Sequence, residues 1–164
     1  MLLLFLIRVY TVIIRTATYN DIYLVKDLFI QTILSVNTKD YSQEQAACWA
    51  SKGEDDKIWE ERIDNQYFIV AEDNRIIKGF AALKPDGYIN SLFVHKDYQN
   101  IGVASRLLTH IEEYAQQINL KELTADVSIT AKPFFERKGY IVLQQQTVDI
   151  GVKMINFKMK KSIS

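Results

Sequence analysis

The hydrophobic period of this chain changes twice, and that constrains the fold more than any other feature. Val25, Leu28, Phe29, Thr32, Ile33 and Val36 recur at helical spacing. From Gln66 to His95 the pattern becomes short β-branched and aromatic runs, broken at Glu72-Asp-Asn-Arg75 and Pro85-Asp-Gly87. Such runs joined by tight turns predict an antiparallel meander with strands at 66–71, 76–83 and 88–95. The helical period then returns. Ala104, Leu107, Leu108, Ile111, Tyr114, Ala115 and Ile118 make one apolar stripe, with Glu112, Glu113 and Gln116 on the wet side.

The flanking segments complete the order. Residues 9–15 read as a first strand, and Thr18 or Asn20 can cap the helix that follows. Ser42-Gln-Glu-Gln45 has the form of a capping box, opening a helix with Ala46, Cys48 and Trp49. A short helix through Ile58, Trp59, Arg62 and Ile63 follows. Beyond the long helix come a strand over 120–128, a short helix over 130–138 and two strands over 140–147 and 152–159. The predicted order is β-α-α-β-β-β-α-β-α-β-β, an α+β domain with a mixed sheet spanning 1–164.

Composition removes several functions. Lys plus Arg and Asp plus Glu are both 20, giving zero net charge, so the basic footprint that gathers nucleic-acid phosphates is absent. The single cysteine, Cys48, rules out an internal disulfide and a cysteine-based metal site; between Ala47 and Trp49 it reads as a small core residue. No metal is expected, and the predicted compartment is the reducing cytoplasm. Met1-Leu-Leu-Leu-Phe-Leu-Ile7 is apolar, but far shorter than the roughly 20 residues that span a bilayer. It also lacks the flanks of a signal peptide. Residues 1–8 therefore read as an N-terminal extension, and no membrane partner is expected.

The segment Val94-His-Lys-Asp-Tyr-Gln-Asn-Ile-Gly-Val-Ala104 carries the chemistry. A strand that feeds a glycine-containing loop and then a helix N-terminus is a device for binding anions, because the first helical turn has unpaired N–H groups and the positive end of the dipole. Gly102 would let a phosphate approach the backbone. The loop has neither the Lys-Ser/Thr of a P-loop nor the three glycines of a dinucleotide fingerprint.

Gln99-x-x-Gly102-x-Ala104, directly after Leu92-Phe-Val94, resembles the Arg/Gln-x-x-Gly-x-Gly/Ala motif of the GNAT superfamily of N-acetyltransferases. Ile14-Arg-Thr-Ala-Thr18 with Asp21 is similar to that family's opening strand and helix. Ile77-Lys-Gly-Phe-Ala81 resembles one of its central strands, and Ala131-x-x-Phe-Phe-Glu-Arg-Lys-Gly-Tyr140 its A-x-x-F-Y-E-K-x-G-F element. Val127 to Glu136 and the late Gly151-Val-x-x-x-Asn156-Phe-x-Met159 look like a bacterial branch labelled YafP-like.

The resemblance implies a mostly antiparallel central sheet of about seven strands flanked by helices, with acetyl-CoA as co-substrate. It implies that main-chain groups of Leu92, Phe93 and Val94 meet the pantetheine arm. Amides of Gln99, Asn100, Ile101, Gly102, Val103 and Ala104 would cradle the pyrophosphate, with Ser105 adding its hydroxyl. Ser128 and Phe135 would also touch the cofactor, and the strand after Leu120 would splay from the Tyr88 strand to admit it. The acceptor implied is a small-molecule or peptide amine.

Two departures leave the proton chemistry open. Many members carry an acidic Tyr where this chain has Phe135, and a basic Glu where it has Asn90. Substitute candidates are Ser128, Tyr88, Tyr140 and Asn90 itself. His95 could act as a base, although a solvent-exposed turn histidine is the simpler reading. Trp49, Asn90 and Asp126 are the candidates for acceptor contact. The expected function is acetyl transfer from acetyl-CoA to a primary amine by direct attack in a ternary complex; the alternative is a catalytically weak acetyl-CoA sensor. The apolar N-terminus and the last two strands are candidate homodimer surfaces.

Overall fold

A computed structural model describes residues 12–164; the apolar extension at 1–8 and the start of the expected first strand lie outside them. The elements are β1 (Ile13–Thr16), α1 (Ile22–Ser35), α2 (Gln43–Ser51), α3 (Asp56–Asn65), β2 (Tyr67–Asp73), β3 (Ile76–Leu83), β4 (Ile89–Val94), α4 (Val103–Gln117), β5 (Glu122–Ser128), α5 (Lys132–Arg137), β6 (Ile141–Asp149) and β7 (Lys153–Ser162). Three helices stand between β1 and β2, each where the segment reading puts one although the compressed order counts two, and Gly53 to Asp55 separates α2 from α3. The predicted capping box opens α2: Ser42 Oγ accepts from the Gln45 amide at 3.1 Å, and Gln45 Oε1 accepts from the Ser42 amide at 2.9 Å.

The strands form two sheets rather than the single one expected. One runs β1-β2-β3-β4 and the other β5-β7-β6, with every pairing within them antiparallel. The sheets meet side by side at β4 and β5, which run parallel and touch through a lone bridge between Tyr88 and Thr124. There the Thr124 amide donates to the Gly87 carbonyl at 3.0 Å. Beyond that point the strands part.

Each face of the first sheet has its own core. The α4 stripe, Leu107, Leu108, Ile111 and Ala115, packs with Ala81, Leu83 and residues of β5 and β7 on one side. On the other, α1 to α3 bring Leu28, Ile33 and Trp59 against Val70, Phe80 and Ala82. Gly79 makes the first contact possible. A Cβ there would lie 2.8 Å from the Phe93 carbonyl and 2.9 Å from Val103 Cγ1, so the absence of a side chain seats the start of α4 directly on the sheet.

A β-bulge shapes the point of divergence. Ser91 pairs with Ala82 and Ile89 with Leu83, leaving Asn90 as the extra residue. Because side chains alternate along a strand, the inserted residue turns both Ile89 and Leu92 toward the α4 core.

Candidate active site

The gap between β4 and β5 opens into a cleft of about 1020 Å³ that passes between the two sheets. Its volume is at the upper end of the range for small-molecule sites. It is lined by the loop before α4 and by α5, and also by residues of α2, α3 and the β6–β7 hairpin.

In the loop before α4 the backbone is arranged for an anion. Asn100 and Gly102 both adopt left-handed conformations, with φ of 60° and 89°. Gly102 is the N-cap of α4, so no side chain caps the helix, and the first turn contains no acidic residue. The Arg106 amide bonds to the Gly102 carbonyl, which leaves the preceding amides of the first turn directed at the loop. A Cβ on Gly102 would meet nothing within 4 Å, and the glycine faces the cleft. Thr130 Oγ1 lies buried on the cleft wall with no hydrogen-bond partner among the described residues. An open cradle, free amides and an orphaned hydroxyl all fit a diphosphate-bearing cofactor.

The β4 edge is differentiated residue by residue. The His95 amide donates to the Lys78 carbonyl at 2.8 Å. In an antiparallel ladder such pairs alternate, so the main-chain groups of Phe93 face β3 while those of Leu92 and Val94 face away, toward β5. The Val94 carbonyl is already occupied: Gln99 Nε2 donates to it at 2.7 Å and Thr32 Oγ1 at 3.1 Å. The Gln99 side chain thus ties the loop to the end of β4, and only its backbone is left for a ligand.

The remaining candidates separate cleanly. Ser128 Oγ lines the cleft and accepts from the Ala131 amide at 3.1 Å, leaving its hydroxyl proton free to point elsewhere. Phe135 forms a buried wall. Asn90 lines the cleft, where its Nδ2 donates to Gln66 Oε1 at 3.2 Å. Tyr88 and Asp126 stand at the closed end of the gap, the hydroxyl donating to Oδ2 at 3.1 Å. Burial first, then the Asp126 charge, pushes the Tyr88 phenol up to about 12, so it stays protonated at neutral pH. Trp49 lines the cleft from α2, edge-on to Phe93.

Tyr140 is a correction. It is 2% exposed, packs edge-on against Phe135 and donates to Glu112 Oε1 at 3.1 Å, so it serves the core beneath α4 and does not line the cleft. His95 is half-buried rather than exposed, its Nδ1 accepting from the Asp97 amide at 3.1 Å as a turn cap. Cys48 is half-buried with its thiol toward the Ile150 carbonyl at 3.3 Å, a packing role at the hairpin under α2.

Two residues of the site escaped the sequence reading. Tyr41, 5% exposed, donates to the Ile155 carbonyl at 2.7 Å and accepts from the Ile129 amide at 2.9 Å, joining the end of β5 to β7 on the cleft wall. Arg62 reaches into the cleft over the Trp59 ring, 4.9 Å from its centroid. The available signal was its place in the inward stripe of α3, three residues after Trp59.

A family model described as an acetyltransferase (GNAT) domain matches residues 37–161. The chain belongs to the GNAT family of acetyltransferases, enzymes that take the acetyl group from acetyl-CoA. It is 35% identical over 148 residues, 90% of this chain and 93% of the relative, to the uncharacterised N-acetyltransferase YafP of Escherichia coli strain K12. The crystal structure of a GCN5-related N-acetyltransferase from Rhodopseudomonas palustris matches with a TM-score of 0.89 and 33% identity, covering 93% of this chain and 96% of that one. The PaiA N-acetyltransferase of Thermoplasma acidophilum, solved with coenzyme A, shares the fold with a TM-score of 0.77 at 17% identity, covering 92% of this chain and 98% of that one. No helix among the described residues is long and apolar enough to cross a membrane, and no group of three or more His, Cys, Asp or Glu among them could hold a metal ion.

Proposed function

We propose that this acetyltransferase passes acetyl from acetyl-CoA to a primary amine of a small molecule or peptide by direct attack in a ternary complex. The observation that carries this reading is the continuity of the cleft. One cavity is lined both by the cradle residues Gly102 to Ser105 and by the aromatic residues Trp49 and Phe93, so a donor and an acceptor can share it.

Amides from Gln99 to Ala104 and the Ser105 hydroxyl hold the pyrophosphate; the outward groups of Leu92 and the Val94 amide align the pantetheine arm, and Ser128 and Phe135 bound it. Bound acetyl-CoA supplies an activated acyl carbon and a thiolate leaving group. As the N–C bond forms and the C–S bond breaks, one proton leaves the amine and one is taken up by the thiolate. Asp126 draws the ammonium form of the acceptor and takes its first proton, giving the free amine; the second proton leaves as the N–C bond forms and is matched by the one the thiolate takes up. Tyr88, kept protonated, holds that carboxylate in place. Asn90 bears no acid–base role. Proximity supplies much of the remaining rate, since a thioester is already reactive.

Titration with acetyl-CoA and desulfo-CoA, followed by thiol release across an amine panel, tests the proposal. Failure to bind either CoA compound would overturn it. Binding without thiol release would favour the acetyl-CoA sensor, a reading motivated by Phe135 and Asn90 standing where acid and base are usual.

A further inference from the structure

The half-buried guanidinium of Arg62 in the cleft is sparsely satisfied. Its Nη1 makes one long hydrogen bond, 3.3 Å to Ser91 Oγ, and among the described residues no carboxylate forms an ion pair with it. A guanidinium carries five N–H donors and stays charged when buried. Burial here disfavours the charge, and an anion bound at its open donors would offset that cost further. Its orientation is already set, because the Trp59 ring beneath it is 1% exposed and pinned by a bond from Nε1 to the Gly53 carbonyl at 2.8 Å. A planar fork held in advance with its donors open matches a carboxylate in two-point contact.

Charge of the opposite sign lines the same cleft. Asp126 Oδ2 accepts from Tyr88 and Oδ1 from Gln146 Nε2 at 2.8 Å, and no cation pairs with it among the described residues. Arg62, Tyr88 and Asp126 all line this cleft, and Asp126 is bonded to Tyr88, so the cleft holds two unlike charges. Ser91, which Arg62 touches, directly precedes Leu92 on β4. An acceptor anchored at Arg62 is therefore held beside the strand edge where transfer takes place.

We infer that the acceptor is a free amino acid, its carboxylate bound by the Arg62 fork and its amine turned to Asp126, with the side chain against the aromatic wall of Trp49 and Phe93. This rests on the acetyltransferase reading above. A peptide bearing its reactive amine far from a carboxylate would leave Arg62 unpaired, and a simple amine would do the same.

The test is calorimetric titration of the full chain, saturated with desulfo-CoA, with the twenty L-amino acids and with the amide and decarboxylated counterpart of each that binds. At least one amino acid is expected to bind, with its carboxylate-free counterparts at least 30-fold weaker. Arg62→Met should erase that ratio and Arg62→Lys restore part of it, both with unchanged desulfo-CoA affinity, which also certifies the fold. The inference is overturned if no amino acid binds the saturated protein, if the carboxylate-free amines bind equally well, or if Arg62→Met leaves the ratio intact. Failure of desulfo-CoA to bind would instead overturn the acetyltransferase reading itself.

Discussion

Tyr88 and Asp126 belong to different sheets, and the hydroxyl of one donates to the carboxylate of the other at 3.1 Å. Gln146 on β6 holds the second oxygen of Asp126 and also donates to Asn156 Oδ1 at 2.9 Å. The polar network at the closed end of the cleft thus spans both sheets, and its members can be removed one at a time.

Asp126→Asn keeps the shape and removes the proton acceptor. Its kcat is expected to fall about 100-fold, within the range for general base catalysis, with acetyl-CoA affinity unchanged by direct titration. Tyr88→Phe should cost less, roughly 10-fold, because it loosens the carboxylate without removing it. Tyr88 also shapes alkaline stability. Its folded pKa is raised above the unfolded value, so its contribution is full below about pH 10 and is lost as pH rises toward about 12. Chemical denaturation across that window should show a shallower decline for Tyr88→Phe than for the parent protein.

Gly102 separates binding from folding. A Cβ there has open space but a φ of 89°, so Gly102→Ala carries about 1–2 kcal/mol of backbone strain and intrudes into the cradle. Acetyl-CoA affinity is expected to drop at least tenfold. Gly102→Glu should abolish binding, since its charge opposes the phosphates, while the circular dichroism spectrum stays native.

Gly79 gives the opposite pattern. Here a Cβ collides with backbone and with Val103, so Gly79→Ala must push α4 off the sheet, at a cost of about 1–3 kcal/mol. Lower thermal stability and weaker cofactor binding should appear together. Normal stability with normal binding would show that α4 can shift freely.

Arg15 grips the 6%-exposed Asp21 with two hydrogen bonds of 2.8 Å, and Asp21 also accepts from the Thr18 amide. The Arg15 bonds hold the Asp21 carboxyl below its ordinary value. That stabilisation is present above the ordinary carboxylate range and is lost as pH falls through it. Asp21→Asn is expected to cost about 2 kcal/mol at pH 7 and to flatten the acid limb of the stability profile, read by denaturant titration from pH 7 to 3.

What the sequence disclosed follows from which interactions are local. The 76–83 strand, the Ser42 capping box and the α4 stripe are patterns within one element, and each lies where the periodicity puts it. The Gln99–Ala104 loop was legible because a glycine at a helix N-cap is a local requirement. The bulge at Asn90 was not, since it exists only relative to β3. Tyr140 and Arg62 failed for one reason in opposite directions. A tyrosine beside a motif turned out to face Glu112, and an arginine on a short helix turned out to face a cavity, and no spacing along the chain encodes either partner.

The parting of β4 and β5 has a cost beyond the site it creates. Past the Tyr88–Thr124 bridge, β4 and β5 each present an edge with no strand paired to it there, and an extended chain can fill such an edge as well as a cofactor can. A ligand that lies between the strands is thus also a plug against self-association. Protein stripped of acetyl-CoA should therefore be the form that clouds on storage, and supplying the cofactor during purification should keep it monodisperse.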